Sequence, residues 1–252
     1  MTAVLVHGNP ENAAVWDLLV DQLSAQGCGD PVRLSPPGFG APVPAHWGAT
    51  VEEYRAWLVA ALEQIGEPVD LVGHDWGGGH VLNVVMTRPD LIRSWCSDTV
   101  GTFDPDYVWH DLAQVWQRPG DGEAWLASLL ATSVDQRAAS LSERGMASVV
   151  AARVATALDE TMVACILRLY RSAAQPFMAE LGATLERARL RPGLAIVASD
   201  DHMVGTEAQR HRAADRAGAQ VQVLDGLGHW WMAQDPKQSA EVLMRFWAGI
   251  TT

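Results

Sequence analysis

The sequence predicts an α/β protein built on a mostly parallel sheet of about six strands, interrupted once by a helical insertion. Short apolar runs alternate with longer segments of helical periodicity, and most of these runs contain no polar alternation. Continuous apolar runs are typical of parallel strands that are buried on both faces. The stretch from Gly101 to Leu190 has no strand candidate. The alternation outside that stretch predicts a doubly wound sheet.

Six apolar runs are the strand candidates. They are Ala3–Val6, Pro31–Leu34, Val69–Val72, Ile92–Cys96, Leu194–Ala198 and Val221–Leu224. Two helices between them have recognisable ends. The helix Val51–Ile65 is preceded by Thr50, and Glu53 completes the spacing of a capping box. The last helix begins at Asp235-Pro236, an N-cap followed by proline at the first helical position.

The stretch 101–190 is helical in pattern and too long for a loop in a compact domain. We predict a helical cap over residues 101–190, inserted into an α/β core of residues 1–100 and 191–252. Ligands in open α/β sheets bind at the carboxyl ends of the strands, where such a cap would lie. The alternative is that these helices pack on the flank of the sheet.

Composition and charge exclude several function classes. The net charge of −12, without a run of Lys or Arg, disfavours nucleic acid and anionic membranes as partners. Three cysteines without CxxC spacing argue against a disulfide framework or a zinc site. No segment has the pattern of a signal peptide or of a membrane span. We therefore expect a cytoplasmic protein, and its oligomeric state is left open.

The sharpest chemical signal is the segment GHDWGG at positions 73–78, directly after the third strand candidate. At such a strand–helix turn the nucleophile adopts a strained conformation, which requires small neighbours and exposes its side chain above the sheet. The usual occupant is serine, but here it is Asp75. A carboxylate is ionised at neutral pH, so Asp75 could attack an alkyl carbon without a base and form an ester. The alternative is a glycine-rich turn in which Asp75 only caps the helix.

A second strand end carries the segment HGNP at positions 7–10. Its glycine would allow a backbone N–H to approach the nucleophile. Together with the N–H of Trp76, the N–H of Asn9 would form a two-donor oxyanion hole. A tight turn after a strand explains the same residues equally well.

His229 lies in the glycine-lined segment GLGHW at positions 226–230, after the last strand candidate. From such a loop it could reach Asp75 and activate the water that hydrolyses the ester. The acid that orients this histidine should lie just beyond the fifth strand candidate. Asp201 is the first choice there, Asp200 is the second, and Asp98 at the end of the fourth strand is a further alternative.

The segments HGNP, GHDWGG and GHWW at these spacings resemble the epoxide hydrolase and haloalkane dehalogenase branch of the α/β-hydrolase superfamily. The resemblance covers the chain except the middle of the insertion. It implies an α/β-hydrolase fold with a helical cap, an aspartate nucleophile, and no metal or cofactor. The chain order nucleophile, acid, histidine is also that of the superfamily. Relatives have two strands ahead of HGxP that have no counterpart here, so the sheet should be smaller at that end.

The two subfamilies of this branch differ in the leaving group. An epoxide needs a proton donor, which epoxide hydrolases take from cap tyrosines, and the segment LYR around Tyr170 resembles their W-Y-R segment. A halide needs N–H donors, and Asn9 and Trp76 resemble the halide-binding pair of one dehalogenase group. The second tyrosine is less clear. Tyr107 is the only other tyrosine of the insertion, and Trp116 lies where the family's first tyrosine would align.

The sequence therefore predicts a hydrolase that forms a covalent alkyl-enzyme ester on Asp75 and opens an epoxide to a diol. A haloalkane dehalogenase with the same nucleophile is the alternative, and a non-catalytic homologue that binds a small ligand is a second. Tyr107, Trp109 and Trp116 are expected to line the pocket. Together with Trp125 they favour a small apolar organic substrate.

Overall fold

Six parallel strands form one sheet within residues 2–250, the part of the chain that the computed structural model describes. The strands are β1 (Ala3–Val6), β2 (Val32–Leu34), β3 (Val69–Gly73), β4 (Ile92–Ser97), β5 (Gly193–Ala198) and β6 (Ala219–Leu224). Their order is β2-β1-β3-β4-β5-β6, and every pairing is parallel. The predicted sheet is confirmed, and each strand candidate coincides with an observed strand apart from its end residues.

Helices connect the strands. The α-helices are α1 (Asp17–Ala25), α2 (Val51–Ile65), α3 (Trp76–Thr87), α4 (Asp111–Gln117), α5 (Asp121–Leu130), α6 (Val134–Glu143), α7 (Ser148–Val154), α8 (Glu160–Ser172), α9 (Phe177–Gly182), α10 (Glu207–Ala217), α11 (Trp231–Gln234) and α12 (Pro236–Ala248). Short 3-10 segments lie at Ala13–Trp16, Pro89–Leu91, Val100–Phe103 and Leu185–Leu190.

The predicted helix ends are confirmed. The Thr50 side chain accepts a hydrogen bond from the backbone N–H of Glu53, and the Glu53 carboxylate accepts one from the N–H of Thr50. This reciprocal pair satisfies two donors that have no partner within the helix. At the other end of the chain, the Asp235 carboxylate caps α12 by accepting from the N–H of Gln238 at 2.9 Å.

Two hydrophobic clusters cover the two faces of the sheet. Val4 and Val6 of β1 belong to one cluster, and Leu5 between them belongs to the other, because successive side chains of a strand point to opposite faces. The first cluster includes residues of α2, α3, α4 and α8, and the second includes residues of α1, α7, α11 and α12. Burial on both faces explains the apolar character of the inner strands β1, β3, β4 and β5, whereas the edge strands β2 and β6 are largely exposed.

Residues 101–190 contain α4 to α9 and, within the described chain, no strand. Their buried side chains join the two clusters of the sheet: Trp116 and Leu126 lie in the first cluster, and Leu141 and Val154 in the second. The division into a cap at 101–190 and a core at 1–100 and 191–252 stays a prediction. Three positions of those core ranges, 1, 251 and 252, lie outside the described residues. No helix within residues 2–250 combines the length and the apolar character that crossing a membrane requires.

Candidate active site

Asp75 occupies a sharp turn between β3 and α3. Its backbone has φ 52° and ψ −127°, a conformation that is strained for any residue other than glycine. The glycines around it permit the turn: a Cβ on Gly73 would lie 2.4 Å from the carbonyl oxygen of Gly77, and a Cβ on Gly77 would lie 2.0 Å from that of Val6. The turn therefore needs the glycines of GHDWGG, and it holds the Asp75 side chain above the strand end.

The two carboxylate oxygens of Asp75 have different surroundings. Oδ1 accepts a hydrogen bond from the backbone N–H of Asn9 at 2.9 Å. This approach requires Gly8, because a Cβ there would lie 2.1 Å from Oδ1. Oδ2 lies 3.7 Å from Nε2 of His229. Burial raises the pKa of Asp75 to about 6, although the charge on His229 favours the carboxylate. At neutral pH one oxygen is thus held by the backbone and the other faces the histidine.

His229 is oriented by Asp201. Its Nδ1 lies 2.9 Å from Oδ2 of Asp201, whose Oδ1 accepts from the backbone N–H of Met203 at 2.8 Å. Burial lowers the pKa of the imidazole, but the carboxylates of Asp201 and Asp75 outweigh it and raise the pKa to about 9. Burial likewise disfavours the Asp201 carboxylate, yet the charge of His229 lowers its pKa to about 2. Nδ1 therefore donates to Asp201, and Nε2 is left facing Asp75.

The three acid candidates have separate positions. Asp201 contacts His229, whereas the exposed Asp200 accepts a hydrogen bond from the hydroxyl of Ser199 at 3.0 Å. Asp98 is buried and bonds to His74, with 2.5 Å between Nδ1 of the imidazole and Oδ2 of the carboxylate. Of the three, Asp201 is placed to orient His229.

A fully buried histidine, His74, lies beside His229, with ring centroids 4.7 Å apart. The Nδ1 of His74 bonds to Asp98, and its Nε2 lies 3.2 Å from Oε1 of Glu11. Burial lowers the pKa of His74, but the carboxylates of Asp98 and Glu11 outweigh it and raise the pKa well above its usual value. The pKa of Glu11 is lowered to about 2 by His74, although burial opposes this. The three side chains form a hydrogen-bonded network with no solvent exposure at the imidazole.

Two indole groups and the backbone of Asp75 complete this network. The Trp230 indole N–H donates to Oε1 of Glu11 at 2.5 Å, and the Trp231 indole N–H donates to Oδ2 of Asp98 at 2.7 Å. Oδ1 of Asp98 accepts from the backbone N–H of Asp75 at 3.0 Å. The network thus ties the strained turn to the loop that carries His229.

Glu11, His74 and His229 offer ligand atoms that all lie within 4.8 Å of one another, close enough to share a cation. The chemistry of His74 does not fit a metal, however. Both of its nitrogens face carboxylates, and with its raised pKa both carry protons, so neither offers a lone pair. That the protein uses no metal or cofactor stays a prediction.

Two cavities lie beside Asp75. We call the smaller one, with a volume of about 30 Å³, the inner cavity, and the larger one, with a volume of about 300 Å³, the outer cavity. Four residues line both: Asp75, His110, Tyr170 and Met203. The inner cavity is otherwise lined by Trp76, Gly79, Thr99, Thr102, Tyr107, Trp109, Met178 and Val204. The outer cavity is otherwise lined by Asn9, Pro10, Leu112, Trp116, Arg144, Asp200, Asp201, His202, Gly228, His229 and Trp230.

The aromatic residues predicted for the pocket line these cavities, with one difference. Tyr107 and Trp109 line the inner cavity, and Trp116 lines the outer cavity. Trp125 lines neither, because it packs against Trp116 at a ring-centroid distance of 5.5 Å with its other side in solvent. Trp125 is therefore not among the residues that line these two cavities.

The two tyrosines of the insertion are in different bonding states. The hydroxyl of Tyr107 donates to the carbonyl oxygen of Met203 at 3.0 Å. Tyr170 on α8 lines both cavities, and its ring packs against those of Trp76 and Trp109. Burial, and then the negative charge of Asp75, raise the pKa of Tyr170 well above its usual value. Tyr170 thus presents a protonated hydroxyl to the cavities that Asp75 also lines.

Asn9 has an unsatisfied side chain. Both its Oδ1 and its Nδ2 are buried, and neither has a hydrogen-bond partner within residues 2–250. A buried amide without partners is destabilising by about 1–3 kcal/mol per group and is rare in folded proteins. Asn9 lines the outer cavity, so a bound molecule could supply the missing partner. Trp76, the other predicted donor, lines the inner cavity.

Sequence reasoning missed the network of Glu11, His74 and Asp98, and it missed His110. The side chain of His110 accepts a hydrogen bond from the backbone N–H of Ala113 and lines both cavities. A signal for His110 exists, since it stands directly before a helical segment inside the insertion. The network has no comparable local signal.

Comparison with known proteins identifies the fold. The model of the alpha/beta hydrolase family matches residues 3–242. No curated protein matches the chain significantly. Similar solved structures include an E-2-(acetamidomethylene)succinate hydrolase, with a TM-score of 0.72 at 16% identity over 98% of this chain and 91% of that one. A haloalkane dehalogenase from Bradyrhizobium elkani has a TM-score of 0.70 at 20% identity, over 98% and 91%. A thioesterase domain from the curacin biosynthetic pathway has a TM-score of 0.68 at 13% identity, over 96% of this chain and 90% of that one.

Proposed function

Because the chain belongs to the alpha/beta hydrolase family, we propose that it is a hydrolase that forms a covalent ester on Asp75 and opens an epoxide to a diol. The observation that carries this proposal is the position of Tyr170. Its protonated hydroxyl lines the same two cavities as the Asp75 carboxylate. A carboxylate nucleophile and a proton donor in one cavity are what epoxide opening requires.

In the first half-reaction, Oδ2 of Asp75 attacks a ring carbon of the epoxide. The carbon–oxygen bond of the ring breaks, and its electron pair goes to the epoxide oxygen. Tyr170 gives its proton to that oxygen and recovers one from solvent water. The hydrogen bond from Asn9 to Oδ1 supports this assignment, because it leaves Oδ2, which faces His229, as the oxygen without a backbone donor.

In the second half-reaction, His229 removes a proton from water, and the hydroxide attacks Cγ of Asp75. The negative charge that develops on Oδ1 is stabilised by the N–H of Asn9, and one such donor is typically worth about 3–4 kcal/mol. The bond between Cγ and Oδ2 then breaks, and the diol leaves with Oδ2 and the proton held by His229. The oxygen of water remains in Asp75, which is left as a carboxylic acid and releases its proton to solvent, balancing the proton that Tyr170 took up.

The charges of the site favour this order of events. In the free enzyme, the carboxylates of Asp201 and Asp75 hold the pKa of His229 at about 9 against the effect of burial. Ester formation removes the negative charge of Asp75. The pKa of His229 should then fall, which makes the histidine available as a base only after the nucleophile has reacted.

Haloalkane dehalogenation is the second candidate, and Asn9 is the observation that favours it. A halide needs no proton, but it needs N–H donors, and the side-chain amide of Asn9 is buried without a partner at the outer cavity. The indole of Trp76 would be the second donor. Both candidate reactions use the same nucleophile and the same base. They differ in the residue that stabilises the leaving group.

Two variants separate the candidates when they are tested on matched epoxides and bromoalkanes, with styrene oxide and phenethyl bromide as the first pair. Tyr170→Phe removes one hydroxyl and keeps the ring, so it should lower epoxide turnover by about 10²–10⁴-fold, the usual contribution of a general acid. Asn9→Leu should affect a bromoalkane more than an epoxide. Initial rates for the wild type and both variants make the comparison.

If Asn9→Leu abolishes bromoalkane turnover and Tyr170→Phe leaves all rates unchanged, the protein is a dehalogenase and epoxide opening is rejected. If no epoxide and no bromoalkane in a set of aryl and alkyl members forms an ester on Asp75, both candidates are rejected. The remaining alternative is then a homologue that binds a small ligand without converting it.

A further inference from the structure

His110 has a fixed arrangement of its ring protons. It immediately precedes α4, and its Nδ1 accepts a hydrogen bond from the backbone N–H of Ala113 at 3.2 Å. A ring nitrogen that accepts a hydrogen bond must carry a lone pair, so the proton of the neutral imidazole is on Nε2. The fold therefore selects one tautomer, in which Nε2 is a hydrogen-bond donor.

The surroundings also keep this ring neutral. Protonation would place an N–H on Nδ1 against the N–H of Ala113 and break the helix cap. Burial, and then the positive charge of His229, lower the pKa of His110 to about 4, although Asp201 favours the charged form. Near neutral pH the ring is thus an uncharged donor that keeps its proton.

The ring of His110 lies beside the groups proposed to react. His110 lines both cavities together with Asp75 and Tyr170, and the ring centroids of His110 and Tyr170 are 6.4 Å apart. The rings of Trp109 and Trp116 contact it at 6.4 and 6.5 Å, which restricts its orientation. Nδ1 makes the contact to the helix, and Nε2 makes no hydrogen bond to another side chain or backbone group within residues 2–250.

We propose that His110 is a further catalytic residue, whose Nε2–H donates a hydrogen bond to the departing epoxide oxygen beside the hydroxyl of Tyr170. This role rests on the proposed function. The proton that the oxygen gains comes from Tyr170, and His110 stabilises the charge that develops while the ring carbon–oxygen bond breaks. It would supply the second donor that Tyr107 cannot, because the Tyr107 hydroxyl is bonded to Met203.

Two substitutions separate the catalytic role of His110 from its structural role. His110→Ser keeps a side-chain oxygen that can cap α4, since serine is favoured at this position, but it removes the donor in the cavity. His110→Gln does the opposite: its terminal amide N–H can replace Nε2–H, whereas glutamine is not among the preferred caps. We therefore expect His110→Ser to lose catalytic rate and His110→Gln to lose stability.

The rate to measure is ester formation on Asp75 with enzyme in excess over styrene oxide, followed by quenching and intact-protein mass spectrometry. We expect His110→Ser to slow this step by about 10²-fold, as for the loss of one donor to a developing oxyanion, with an unchanged melting temperature. We expect His110→Gln to retain the rate to within about tenfold and to melt at a lower temperature.

The proposal is overturned if His110→Ser forms the ester at the wild-type rate. It is also overturned if both variants lose the rate in proportion to their loss of melting temperature, because His110 would then act only as a cap. If the wild type forms no ester on Asp75 with any epoxide tested, the proposed function has failed and His110 loses this role with it. Ester formation in the wild type therefore distinguishes the two failures.

Discussion

Two histidines of this protein lie side by side, with ring centroids 4.7 Å apart, and both are bonded to carboxylates. His74 has no exposed surface, and both its nitrogens are bonded, to Asp98 and to Glu11. His229 is 16% exposed, and while its Nδ1 contacts Asp201, its Nε2 faces Asp75 and the outer cavity. A histidine paired with a carboxylate is thus structural at His74, where both ring nitrogens are bonded. At His229, one ring nitrogen is left available for proton transfer.

The two histidines are also connected through Asp75. Asp98, which pairs with His74, accepts the backbone N–H of Asp75, and His229 lies 3.7 Å from the Asp75 carboxylate. His74 therefore supports the backbone turn of Asp75 through Asp98, whereas His229 faces the Asp75 side chain. Substitutions in the two groups should consequently affect different quantities: stability for the first and turnover for the second.

The largest expected difference is between His229→Gln and His74→Gln. Without the base the ester cannot be hydrolysed, so His229→Gln should lower turnover by about 10⁴–10⁶-fold while ester formation on Asp75 survives. His74→Gln leaves two buried carboxylates without their cation, which should lower the free energy of unfolding by about 3–5 kcal/mol. Steady-state rates and urea unfolding of both variants test this. Normal turnover in His229→Gln would remove His229 from the mechanism.

The carboxylates that pair with the two histidines, Asp201 and Asp98, should also differ in whether they affect turnover or stability, with smaller effects than the histidines. Asp201→Asn should lower turnover by about 10⁴-fold, because the carboxylate that orients a catalytic histidine is lost. Asp98→Asn should mainly reduce stability, and Asp200→Asn is the matched control that should change neither quantity greatly. The same rates and unfolding curves distinguish the three variants. If Asp98→Asn alone abolished turnover of the folded protein, the acid would belong to the other strand end.

The smallest of these effects is a pH dependence. Burial raises the pKa of Asp75 to about 6, and only the ionised carboxylate can attack. The rate of ester formation should be constant at higher pH and should fall by about tenfold per pH unit below about 6. In His229→Gln the midpoint should move to higher pH, because a positive neighbour that favours the carboxylate is gone. Rapid-quench measurements over a pH series test this, and an identical midpoint in both proteins would contradict the charge coupling.

The fold was predictable because its signals are local. Short runs rich in apolar residues identified all six strands, and the capping pattern of Thr50 with Glu53 identified the start of α2. The turn at Asp75 was predictable for the same reason, since its glycines and the strand before them are contiguous in the chain. The choice of Asp201 as the partner of His229 depended on its position just beyond β5, and the two side chains are in contact.

The buried network was not predictable, because its members are far apart in the chain. Glu11 and the indole of Trp230 are 219 positions apart, and Glu11 and His74 are 63 positions apart. Each residue has many local explanations, and only the packing of β1, β3 and the last loop brings them together. His110 had a local signal as a helix cap, but its role depends on which cavity its second nitrogen faces.

A single turnover in heavy-oxygen water is the most direct test of the covalent ester on Asp75. With the wild-type protein in excess over styrene oxide, the attacking water should leave its oxygen in the Asp75 carboxylate, and the first diol should carry the Asp75 oxygen instead. Peptide mass spectrometry should then find one heavy oxygen in the peptide that contains Asp75 and none in the diol from that turnover. A heavy oxygen in the diol with an unlabelled Asp75 would mean that water attacks the substrate directly, and the account would be wrong.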